Sequence, residues 1–201
     1  MNGRKLTFFY EFASTYSYLS AMRIEEMAAR KAVAVDWKPF MLGPIFQMRG
    51  LATSPFNICP AKGQYMWRDM QRLADLYDLP LVQPDPFPQN GLLAARLALV
   101  GLDAGWAPQF SRAVYFTEFG EGRNISDPDI LKGVLETIDV DAEAAFAAAR
   151  CDEIKQALKD NGAEAQRLGV FGAPNFVTPD GELFWGNDRL EMALDWVEKT
   201  G

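Results

Sequence analysis

Residues 6–12 read Leu-Thr-Phe-Phe-Tyr-Glu-Phe, a short apolar run that stops at a small hydroxyl residue, Ser14. A run of this length, rich in aromatic residues, predicts a buried strand. A helical pattern follows over residues 16–31, with Tyr18, Met22 and Met27 among its apolar positions and a dense Glu/Arg/Lys face. Ser14 therefore stands where a strand hands over to a helix. The first N–H groups of a helix lack intrahelical partners, and the helix dipole favours negative charge beside them. Serine is also a common N-cap, and on this stretch alone capping is a sufficient account of it.

Composition limits what else the chain can be. With 201 residues, 49% of them hydrophobic, it can bury a sizeable core and suits one domain or one domain carrying an insertion. A formal net charge of −7 argues against a basic face for nucleic acid. No apolar run reaches membrane-spanning length and no signal-peptide core precedes the first strand, so a cytoplasmic protein without a membrane partner is expected. The absence of histidine removes Ser-His-Asp and Cys-His catalysis and imidazole zinc sites, and no metal site is expected. The two cysteines, Cys59 and Cys151, form no C-x-x-C motif, and each reads as a small buried hydrophobe.

Residues 32–40 predict a second strand ending at Pro39, which gives a β-α-β opening with a right-handed crossover. Residues 41–60 are irregular, punctuated by Gly43-Pro44, Gly50 and Ser54-Pro55. A helical pattern begins at Ala61, with Tyr65, Met66, Met70, Leu73 and Leu76 at helical spacing, and ends near Pro80. After a proline-rich connector, helices are predicted over residues 91–101, 109–119, from Asp127-Pro128, over 141–150 and over 152–168. The ending is strand-like again: Pro179-Asp-Gly181 is a hairpin turn between two short strands, and a last helix opens near Asp188. Ala173-Pro174 is a candidate cis peptide at the start of a strand. The order predicts an α/β chain with a thioredoxin-like fold and an inserted all-helical domain: residues 1–60 and 163–201 form the thioredoxin-like part and residues 61–162 the insertion. Redox proteins of this layout carry C-x-x-C at the first strand–helix turn, where the helix end ionises the first thiol. Here those positions are Ser14 and Ser17, so the scaffold for a thiolate lacks a thiol of its own.

Five blocks carry a resemblance: Phe12-Ala-Ser-Thr-Tyr-Ser-Tyr-Leu19, Leu42-Gly-Pro-Ile-Phe46, Pro60-Ala-Lys-Gly-Gln-Tyr-Met-Trp-Arg-Asp69, Gly169-Val-Phe-Gly-Ala-Pro174 and Phe184-Trp-Gly-Asn-Asp-Arg-Leu190. In this order they resemble the 2-hydroxychromene-2-carboxylate isomerase family, glutathione-dependent members of the DsbA-like thioredoxin superfamily close to the kappa-class glutathione transferases. The resemblance implies roles. Ser14 faces the glutathione sulfur. Lys62 lies near the glycyl carboxylate. Ala173, before Pro174, pairs through its main chain with the cysteinyl unit, and Asn187 and Asp188 hold the γ-glutamyl end. Tyr16, Arg49 and Asn57 are candidate substrate contacts. Two departures stand out. Thr15 replaces the usual proline after the serine, and the family's loop asparagine has only Thr53, Ser54 and Asn57 as candidates here. The implied activity is cis–trans isomerisation of an aromatic-degradation intermediate of the 2-hydroxychromene-2-carboxylate type, with a small aromatic substrate, glutathione as cofactor and a homodimer. The alternatives are a kappa-like transferase and a thioredoxin-like binding module without catalysis.

Overall fold

The computed structural model describes residues 4–51 and 54–200. Strand β1 (Lys5–Tyr10) is followed by helices α1 (Thr15–Ala21) and α2 (Ile24–Arg30) and by β2 (Ala34–Pro39). The chain closes with β3 (Asn175–Val177), β4 (Leu183–Trp185), a 3₁₀ turn (Asn187–Arg189) and a last helix (Leu190–Thr200). The sheet order is β2-β1-β3-β4. β1 runs parallel to β2, with Phe8 opposite Trp37, and antiparallel to β3, with Phe8 opposite Phe176; β3 and β4 are antiparallel. This is the predicted thioredoxin-like arrangement, α/β with the helical segment between β2 and β3.

A strand paired along both edges is covered on both faces, and the alternation of side chains sorts β1 accordingly. Leu6, Phe8 and Tyr10 enter the larger core, where Phe8 stacks on Tyr10 and Phe176 and meets Trp37 edge-on. Phe9 faces the other way and packs with Phe40, Ile45, Val170 and Val177. The larger core is continuous from the sheet into the inserted helices, through Met66, Leu97, Phe110 and Leu131.

Several boundaries differ from the sequence expectation for identifiable reasons. The helix expected over 16–31 is two helices of seven residues each, α1 and α2. Their junction lies where Ser20 and Arg23 both turn inward to the side chain of Asn187. The irregular stretch contains α3 (Leu42–Met48) and α4 (Pro55–Ile58), the latter capped by the Ser54 hydroxyl, which accepts the Phe56 N–H at 3.3 Å. Thr53 lies outside the described residues. The insertion comprises α5 (Pro60–Tyr77), α6 (Leu92–Ala104), α7 (Ala107–Tyr115), a π-helical turn (Phe116–Gly120), α8 (Pro128–Thr137), α9 (Ala142–Ala149) and α10 (Asp152–Arg167). The helix expected over 109–119 thus ends in a wider turn.

Two readings of individual residues are corrected. Cys59 and Cys151 are free and exposed, because both occupy the N-cap positions of α5 and α10 and not an apolar face. On α5 the buried line is Met66, Met70 and Ala74; Tyr65 and Leu76 lie on the outer side, 63% and 72% exposed. No helix among the described residues is long and apolar enough to cross a membrane.

Phe8 is fully buried and touches three aromatic rings. Phe8→Ala is expected to lower the unfolding free energy by about 3–5 kcal/mol, the usual cost of an aromatic-to-alanine cavity. Urea denaturation followed by circular dichroism measures it.

Candidate active site at the first strand–helix turn

Ser14 is the N-cap of α1, with extended backbone (φ −90°, ψ 112°). Its Oγ accepts the Ser17 N–H at 3.2 Å, so the capping expected from sequence is present. The same hydroxyl donates to the Ala173 carbonyl at 3.0 Å. The two residues are brought together by the β1–β3 pairing, and the Ala173–Pro174 peptide is cis, as anticipated. One sequence expectation is corrected. The Ala173 backbone is not wholly free to pair with a ligand, because the half-buried Ser14 hydroxyl needs an acceptor and takes the Ala173 carbonyl. Gly172 has no room for a side chain: a Cβ there would lie 2.6 Å from the Trp185 indole nitrogen.

Tyr16 follows in α1 and donates its hydroxyl to Asp69 on α5 at 2.9 Å. Burial, and then the bond to Asp69, pushes its phenol above the ordinary range, so it stays protonated. Its ring lies beside Phe56. Thr15 donates to the Met66 sulfur at 3.3 Å, and Met66 also lines a cavity of about 640 Å³ on the far side. Phe56, Asn57, Gln64, Trp67, Asp85 and Phe87 form most of its wall, drawn from α4, α5 and the proline-rich connector. Trp67 meets Phe87 edge-on at 4.9 Å. The sequence reading of Trp67 as a packing residue alone is therefore incomplete, since its ring is also part of a cavity wall.

The remaining predicted residues surround the turn unevenly. Lys62 is exposed in the first turn of α5 and makes no ion pair among the described residues. Arg49 caps the C-terminus of α3 and lies 5.6 Å from the Phe171 ring centre, and Phe171 in turn contacts Trp185. Asp188 is exposed and pairs loosely with Arg189 at 3.4 Å. Asn187 is buried: its carbonyl oxygen accepts from Ser20 and Arg23, and its amide donates to the Tyr77 hydroxyl at 3.4 Å. Its side chain is thus spent on joining α1, α2 and α5, and only its backbone faces a ligand-binding role.

Comparison with known proteins adds a line independent of this geometry. The profile of the DsbA-like thioredoxin domain matches residues 5–198. A 2-hydroxychromene-2-carboxylate isomerase of Sphingobium xenophagum is 30% identical over 196 residues, covering 96% of this chain and 98% of the relative. The chain belongs to the DsbA-like thioredoxin family, in its 2-hydroxychromene-2-carboxylate isomerase branch. It is also similar to glutathione S-transferase kappa 1 of Caenorhabditis elegans, 24% identical over 97% of this chain and 91% of that one. The solved structure of a 2-hydroxychromene-2-carboxylate isomerase superposes with a TM-score of 0.86 at 24% identity, over 97% of this chain and 95% of that one, and shows the same fold.

This DsbA-like chain has a feature at the turn that the sequence reading passed over. Glu11 interrupts an apolar run one residue past β1, and it is buried. A lone carboxylate inside an aromatic strand was the available signal. Its carbonyl accepts the Ser14 N–H at 3.0 Å and the Tyr115 hydroxyl at 2.9 Å. Burial pushes its carboxyl up to about 7, against the opposing effect of the Ala13 N–H that it accepts. Glu118, in the π-helical turn, is also buried, and neither carboxyl oxygen has a hydrogen-bond partner among the described residues. Burial, and secondarily the charge of Glu11, holds its carboxyl well above the usual carboxylate range.

Both groups bind their protons more tightly folded than unfolded. The folded state is therefore favoured below the ordinary carboxylate range and loses that advantage as pH rises through the folded value of about 7 for Glu11. Urea unfolding of the wild type should show stability falling from about pH 5 to 7.5, by on the order of 3 kcal/mol from Glu11. Glu11→Gln should flatten the curve over that interval.

Proposed function

We propose that this protein is a glutathione-dependent cis–trans isomerase acting on a conjugated aromatic compound of the 2-hydroxychromene-2-carboxylate type. The observation that carries the reading is the Ser14 hydroxyl, anchored by the Ser17 N–H and aimed across the turn at the Ala173 carbonyl. The names of the isomerase and kappa-transferase relatives support it.

The groups around the turn suit a γ-glutamyl tripeptide, which carries two carboxylates, one ammonium and a thiol. Lys62 is an exposed cation free to meet a carboxylate, and Asp188 is an exposed anion free to meet an ammonium. The main chain at Ala173 lies beside Ser14 for the cysteinyl unit. Bound glutathione supplies the thiolate nucleophile that adds to the conjugated double bond, turns it single so that it can rotate, and departs unchanged. The chain's part is to hold that sulfur as an anion. A free thiol near its usual pKa of about 8.5 is mostly protonated at neutral pH, and a donated hydrogen bond favours the ionised form. Ser14 can transfer its O–H bond from the Ala173 carbonyl to sulfur without losing the Ser17 N–H that fixes its oxygen. Tyr16, held neutral by Asp69, presents an aromatic face toward Phe56. The adjoining cavity, walled by Trp67 and Phe87, has the size and apolar character for one aromatic substrate.

Ser14→Ala should lower turnover by about two orders of magnitude, the usual effect of removing one donor aimed at a developing charge. The lost cap should cost about 1 kcal/mol of stability. Calorimetric titration with glutathione, with proton release counted, is the companion measurement: wild type should bind and release a proton. An unchanged rate in the variant removes Ser14 from the reaction, and no binding at millimolar glutathione leaves a non-catalytic module. The resemblance to kappa-class transferases gives a second reading of the same site. A stable thioether product identifies a transferase, and an isomer without net glutathione consumption identifies an isomerase.

A further inference from the structure

Behind the Ser14 turn lie two carboxyl groups that make no ion pair among the described residues. Glu11 is joined to the turn through three contacts. Its carboxyl accepts the Ala13 N–H, and its carbonyl accepts both the Ser14 N–H and the Tyr115 hydroxyl. Its Oε1 lies 3.7 Å from where a Cβ on Gly91 would stand, against the uncapped start of α6. Glu118 is carried by the π-helical turn, fully buried, with both oxygens unpartnered. The groups facing Glu11 are the phenol of Tyr10 on β1, the phenol of Tyr115 on α7 and the carboxyl of Glu118. Arg96, the one cation on α6, pairs with neither acid.

We propose that Glu11 is a positioning residue for Ser14, and that its neutral form is the one in which the turn accepts an anion, with Glu118 kept as a neutral acid behind it. The first part rests on the hydrogen bonds just named: residues 11, 13 and 14 are tied into one unit, so Glu11 sets where Ser14 stands. The second part is electrostatic. An ionised Glu11 and an anion at Ser14 are like charges on the same turn, in an interior that screens them poorly. A proton on Glu11 removes the repulsion and leaves its second oxygen able to accept the Ala13 N–H. Glu118 has no donor and no cation to support a charge, so the ionisation that occurs near neutral pH belongs to Glu11. By linkage, forming an anion at Ser14 draws a proton onto Glu11.

This inference rests on Ser14 as the place where the anion forms, and its test puts an anion there without glutathione. In a C59S/C151S background, S14C supplies a thiol at the turn, and its ionisation is followed by thiolate ultraviolet absorbance. The thiol should ionise roughly tenfold more readily when E11Q is added, the size expected for removing one like charge at the effective dielectric of a protein. E118Q should leave the midpoint where it was, because glutamine replaces an acid that is already neutral. Carboxyl ¹³C titration of glutamate-labelled protein, which needs no change at Glu11, should show one resonance with a midpoint near 7 in the wild type, moving upward as the S14C thiol ionises. Identical thiol midpoints with and without E11Q overturn the proposal, as does a wild type in which no carboxyl titrates above about pH 5.5. A shift from E118Q as large as that from E11Q also overturns it, by placing the charge on the wrong acid. Failure of glutathione to bind the wild type bears on the proposed function and leaves these outcomes as they stand.

Discussion

β1 is hydrogen-bonded along both edges, parallel to β2 and antiparallel to β3. That double pairing sets residue 173 next to residue 14, although 158 positions separate them in the chain, and it lets one serine hydroxyl bridge the first helix and the strand from the far end. The pairing in turn depends on the alternation of β1, which sends Phe8 and Tyr10 into one core and Phe9 into another. A slip of one residue would exchange those faces and carry Ser14 away from Ala173. The site is thus a consequence of strand register before it is a matter of any one functional group.

The polar groups of the site fall into two layers. Around the rim are exposed charges of both signs, Lys62, Arg49 and Asp188, which suit a small polar ligand. Beneath the turn are acids and phenols only: Glu11, Glu118, Tyr10 and Tyr115. An interior of this kind opposes charge, so the cost of forming an anion at Ser14 is set from below by whether the buried acids are already ionised. In Asn187 the interior takes a residue of the rim sequence for itself. Its amide joins Ser20, Arg23 and Tyr77, which is why the first helix breaks there.

Much of the fold was legible because its signals are local. The aromatic run of β1, the Pro-Asp-Gly hairpin, the Asp127 and Asp141 caps and the Ala173-Pro174 step each depend on a few neighbouring residues, and each stands where it was expected. The readings that failed depended on what lies across space. Tyr65 and Leu76 share the helical spacing of Met66 and Met70, but spacing alone does not say which side of α5 meets the core. Cys59 and Cys151 read as buried by residue type, yet helix N-caps are surface positions whatever residue occupies them.

At the candidate site the division follows the same line. The amino-acid sequence by itself determined that a serine, and no thiol, occupies the strand–helix turn, that no histidine can serve as a base, and that a proline opens the strand beside it. These are facts of residue identity and short-range pattern. Only the tertiary structure decided that the Ser14 hydroxyl is held by Ala173, that Tyr16 is held by Asp69, and that Trp67 and Phe87 wall a cavity. It also decided that Glu11 is buried facing Glu118 and not solvated. Burial and desolvation are properties of what packs around a group, and the packing comes from segments about a hundred residues away that no local pattern can place.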